Sequence, residues 1–98
     1  MSVRMVIELQ EKESAQSILQ AVEAYKARLR AGIARTRQRL DQFEQRYGVN
    51  TAQFLKDMTA EDLQEGDLEY VEWAGEAKLL EGLKKELAAL EHARYQLP

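Results

Sequence analysis

From Ala15 to Tyr47 one row of side chains recurs in alternating steps of four and three residues. The row is Ala15, Leu19, Val22, Lys26, Leu29, Ile33, Thr36, Leu40, Phe43 and Tyr47. That rhythm is the heptad seam of a helix packed lengthwise on another helix. Lys26 and Thr36 are its only polar members. A one-sided helix of this length cannot bury its seam alone, so the chain must fold back on itself or associate. The intervening positions are mostly Ala, Gln, Leu, Glu, Lys and Arg, which are strong helix formers. Ser14 offers the best N-cap. Gly32 marks either a close approach or a break between two shorter helices. Tyr47-Gly48 is a clear stop, with Gly48 suited to the left-handed residue after a helix.

The natural cover for this seam is a second long stretch, Asp67 to Tyr95. Asp67 would cap it, and Glu69 and Glu72 sit well against the helix dipole. This helix carries two apolar faces. Trp73, Leu80, Leu83, Leu87 and Leu90 make one. Leu68, Val71, Gly75, Leu79, Gly82, Ala89 and Ala93 make the other. One face can pack on the first helix. A second subunit is the expected cover for the other, since Gly75, Gly82 and Ala89 form a row of small residues seven apart.

Between the long helices lies an elbow, residues 50–65. Asn50 with Gln53 reads as a capping box opening a short helix from Thr51 to about Met58. Thr59 with Asp62 opens a further turn from Ala60 to Gln64, closed by Gly66. Ahead of the first helix, Val3, Met5, Ile7 and Leu9 alternate with Arg4, Val6 and Glu8. That period near two favours a short strand or extended arm, residues 1–12. The expectation is a single all-α domain over residues 1–98: a long antiparallel helical hairpin with a short helical elbow, dimeric as a bundle. One Pro and five Gly among 98 residues suit that architecture.

Charge divides the chain. Met1–Asn50 carries a net +3 and Thr51–Pro98 a net −6. Halves of opposite sign attract when folded as a hairpin. Two sharper readings stand beside this one. Arg4, Arg28, Arg35 and Arg39 are candidate nucleic-acid contacts, and Arg30 and Arg37 line another side of the same helix. The acidic run Glu61, Asp62, Glu65, Asp67, Glu69, Glu72, Glu76 could meet a basic protein partner.

Little points to catalysis. His92, the only histidine, has no nucleophile, paired acid or second metal ligand at readable spacing. The acidic run lacks the spacing of a calcium loop, and the isolated glycines make no phosphate loop. No catalytic residue, metal site, cofactor or small-molecule substrate is expected. No apolar run approaches the roughly eighteen residues of a spanning helix, and the first nine residues lack a signal-peptide pattern. Absence of Cys fits a cytoplasmic protein.

The punctuation Phe43-Glu44-Gln45-Arg46-Tyr47-Gly48-Val49, then Phe54, an acidic stretch, Glu72-Trp73 and a leucine-rich helix resembles a known group. These are small helical prokaryotic proteins encoded beside a toxin-like gene and proposed as antitoxins. The resemblance covers Phe43 to Leu90. It implies a non-catalytic protein that binds and neutralises a cognate toxin. The contacts with that partner or with a second copy are expected at Leu29, Ile33, Leu40, Phe43, Tyr47, Phe54, Trp73, Gly75, Leu79, Gly82 and Leu83. The alternative is a dimeric DNA-binding transcriptional regulator using the N-terminal arm and the basic helix.

Overall fold

The seam dictates the architecture. The computed structural model of the chain describes residues 1–57 and 68–95. Three helices account for most of them: α1 (Glu13–Tyr47), α2 (Thr51–Asp57) and α3 (Leu68–His92). α1 and α3 pack as a long antiparallel hairpin with α2 tucked at the closed end, and no described residue lies in a strand. The radius of gyration is 19.1 Å, against about 13 Å for a compact domain of this size. Among the described residues no helix is long and apolar enough to cross a membrane.

α1 runs unbroken through Gly32, so of the two readings of that glycine the close approach holds. A Cβ placed there would lie 3.3 Å from the Leu83 Cδ1 atom of α3. The seam residues Leu29, Ile33, Leu40 and Phe43 are buried against α3, and the two polar members are buried with them. Each polar group finds a local partner. The Lys26 stem lies in the seam while its ammonium donates to Glu23, 3.2 Å away. The Thr36 hydroxyl donates to the Gly32 carbonyl at 2.8 Å.

Helix ends differ in detail from the expected ones. α1 starts one residue before Ser14, with Lys12 at the N-cap in helical conformation and no side-chain cap. Gly48 closes it in the left-handed region (φ 70°), its N–H donating to the Glu44 carbonyl. The box at α2 is half formed. The Gln53 N–H donates to Asn50 Oδ1 at 2.8 Å, but the Gln53 amide turns forward to Asp57 instead of back. Glu44 instead satisfies the next donor of the helix start, taking the Thr51 N–H at 2.6 Å. α3 ends at His92, short of Tyr95. The expected turn Ala60–Gln64 and the Asp67 cap lie outside the described residues. So does most of the acidic run. Residues 3–9 are an exposed arm, neither strand nor helix. A lone strand has no edge to pair with in an all-helical fold, which leaves the backbone of this segment to water.

The core gathers at the closed end. Trp73 is fully buried at 0% exposure. Its ring stacks on Phe54 of α2 (centroids 3.8 Å apart) and on Phe43 and Tyr47 of α1 (5.5 and 5.6 Å). Its indole N–H donates to Thr51 Oγ1 at 3.0 Å. One side chain thus joins all three helices. Tyr70 meets Tyr47 and Phe54 edge-on. Beside this cluster Glu69 accepts hydrogen bonds from the Tyr47 hydroxyl and the Arg46 guanidinium. Both hold its carboxyl below the ordinary value, the tyrosine most.

Two outcomes follow from this closed end. Truncating a buried aromatic costs about 3–5 kcal/mol. Trp73→Ala should therefore lower unfolding free energy by that amount in urea titrations followed by circular dichroism. Because the folded carboxyl of Glu69 titrates below its unfolded value, its contribution is complete above about pH 4.5 and lost as pH falls through the folded value. On acidification from about pH 5 to about pH 3, the wild-type melting temperature should fall further than that of Glu69→Gln.

Candidate interaction surface

The structure divides the expected contact residues into two groups. Leu29, Ile33, Leu40, Phe43 and Trp73 are buried within the hairpin, and Tyr47, Phe54 and Leu83 are half-buried along its inner side. They are occupied by the chain's own packing. Gly75, Leu79 and Gly82 face outward, on the side of α3 turned away from α1.

The spacing of α3 explains the division. Trp73, Leu80, Leu83, Leu87 and Leu90 recur at three, four and seven residues and turn toward α1, all buried or half-buried. Leu68, Val71, Gly75, Leu79, Gly82 and Ala89 fall on another side of the helix, and every one is exposed, as is Ala93 just beyond its end. Leu68 is 70% exposed, Leu79 50% and Val71 44%. A Cβ added at Gly75 or Gly82 would meet none of the described residues within 4 Å. The contrast with Gly32 is direct: there the missing side chain admits Leu83, whereas on the outer face the two gaps are empty.

The arginines serve the hairpin more than a common surface. Arg30 of α1 pairs with Glu91 of α3 at 3.2 Å. Arg39 reaches Glu76 at 3.4 Å and Glu72 at 3.9 Å. Arg46 pairs with Glu69. All these cross-helix pairs join the basic first half to the acidic second half in antiparallel register. Exposed pairs of this sort contribute little stability each; their sign favours this alignment. Of the candidate nucleic-acid contacts, Arg39 is thereby occupied. Arg28 lies over the Tyr25 ring, 5.7 Å from its centroid, Arg35 is exposed on α1, and Arg4 sits in the exposed arm. His92 is exposed at the end of α3.

Some partners escaped the sequence reading. Tyr25 donates a hydrogen bond to Glu86, which fixes the open end of the hairpin. This contact raises the pKa of the phenol above its ordinary value. Nothing in the spacing marks it, because the two residues are far apart in sequence. The role of Thr51 as acceptor for Trp73 is hidden for the same reason.

Fold and surface together define a helical hairpin with an apolar outer face and an apolar arm. No protein-family model, curated protein or solved structure matches the chain.

The glycines give a quantitative check. An interior Gly costs a helix about 1 kcal/mol relative to Ala. Gly82→Ala and Gly75→Ala should each raise the unfolding free energy of the isolated chain by about that much. Gly32→Ala should gain clearly less, because its methyl group must displace Leu83. Urea midpoints of the three variants check the order.

Proposed function

We propose that this chain is a non-catalytic protein-binding module, an antitoxin-type protein that binds and neutralises a cognate toxin. The observation that carries the reading is the outer face of α3. Leu68, Val71 and Leu79 spread apolar surface into water there, beside two glycines whose open side no described residue fills. Apolar surface of this kind is favourable to cover. The glycines let another backbone come closer than any larger residue would, so a helix of the partner fits the face. The resemblance of Phe43–Leu90 to antitoxins supplies the kind of partner. The acidic stretch before α3 suits a partner with basic surface around its docking site.

A second reading is a dimeric DNA-binding regulator. In its favour, Arg28 and Arg35 are exposed on α1, and Arg4 lies in the arm. Against it, Arg39 is drawn into ion pairs with Glu72 and Glu76.

The test is co-expression with the product of the adjacent gene. The two proteins should co-purify, and growth arrest caused by that product should be relieved. Leu79→Glu should abolish both effects while leaving the helical circular dichroism unchanged. Failure of the wild-type pair to co-purify would count against the antitoxin reading. A salt-sensitive shift of duplex DNA without that partner would favour the second one.

A further inference from the structure

Among the described residues no helix packs beside the first turns of α1. α1 is 35 residues long and α3 only 25, so α1 is the longer by about 15 Å. The hydrogen bond between the helices nearest the start of α1 is Tyr25 to Glu86, and α3 ends at His92. Glu13 to about Gln20 therefore project beyond the hairpin. The seam nonetheless continues through Ala15, Leu19 and Val22, which are half-buried rather than buried. A helical stretch of two or three turns is marginal in water without a packed apolar face.

The geometry points to a second copy of the same chain as the cover for this overhang, docked antiparallel across a two-fold axis. Three observations carry it. First, the shallow groove along the overhang is lined by Lys12, Ala15, Gln16, Leu19, Gln20 and Glu23. Reversed end for end, the same set complements itself. Lys12 meets the partner's Glu23 as an ion pair at each end, and between the two pairs Ala15 and Leu19 of one copy lie beside Leu19 and Ala15 of the other. An isologous interface requires this kind of self-complementarity. Glu23 can serve, since its side chain is 64% exposed while it also accepts from Lys26.

Second, the surface area allows it. The chain exposes 8273 Å². A compact protein of 11.3 kDa would expose about 5,700 Å². The excess is larger than the roughly 800 Å² per partner of an ordinary stable interface.

Third, the arm is placed to extend the contact. It is exposed from end to end, with Val3 at 93% and Met5 at 82%. In the antiparallel register each arm leaves beside the other copy's α1, just where α3 begins to cover it. Residues 3–9 span about 20 Å when extended. That length carries Ile7 and Met5 along the groove between α1 and α3, whose apolar lining is Ile33, Ala34, Leu87 and Ala88.

This interface is separate from the outer face of α3, so it stands or falls independently of the proposed function. Light scattering after gel filtration at 100 µM (loading concentration about 100 µM) tests it. The wild-type chain should have close to twice the mass of 11.3 kDa. Leu19→Glu should return it to single-chain mass with the hairpin still folded, because α3 does not cover that turn. Leu79→Glu should leave the mass doubled. The chain has no cysteine, so Gln16→Cys alone, treated with a short bifunctional maleimide, should give a covalent pair. Single-chain mass for the wild type, a doubled mass that survives Leu19→Glu, or no cross-link at Gln16→Cys would each overturn the proposal.

Discussion

Trp73 holds the fold at one end. It is the one fully buried large side chain among the described residues, and its ring touches Phe43 and Tyr47 of α1 and Phe54 of α2. The hydrogen bond to Thr51 fixes the indole within that stack. The start of α3 is thereby seated on the end of α1, and the chain has to turn back between them. From that point the rest of α3 can only run along the seam. Leu83 then enters the gap at Gly32, and Tyr25 reaches Glu86 near the open end. The seam stays buried along this length, Leu29 at 4% exposure as well as Phe43 at 8%.

Charge works with this geometry rather than apart from it. Arg30, Arg39 and Arg46 meet Glu91, the Glu72–Glu76 pair and Glu69 in antiparallel order. Read alone, the arginine cluster suggests a surface for phosphate. Inside the hairpin part of it is neutralised by the acidic half. Apolar side chains also remain outward, on the exposed face of α3 and in the arm, beside exposed charges such as Arg28 and Arg35. Such a distribution suits a protein whose work is to bind other proteins.

Much of the hairpin is legible from spacing. The α1 row contains every buried residue of that helix except Gly32, Lys26 and Thr36 included, because the rhythm constrains position more strongly than polarity does. The two faces of α3 are readable for the same reason. Local punctuation is less reliable. Gly48 stops α1 as expected, since a left-handed residue there favours Gly. The Asn50–Gln53 box forms only half, because the Gln53 amide donates forward to Asp57. The inner and outer sets of contact residues cannot be separated before the hairpin closes. Whether Leu83 or Leu79 faces water depends on which face of α3 meets α1, and Trp73 decides that. The alternation of residues 3–9 suggests a strand, but a strand needs an edge, and no helix offers one.

α3 covers the seam of α1 from about Tyr25 onward, and a second copy is the proposed cover before it. Amide hydrogen exchange along α1 over a dilution series measures this cover residue by residue. Amides from Leu29 to Phe43 should be the most protected and indifferent to concentration. Those from Ala15 to Val22 should exchange faster in dilute solution and slow as concentration rises. Uniform protection along the whole of α1 with no concentration dependence, or rapid exchange across Leu29–Phe43, would contradict it.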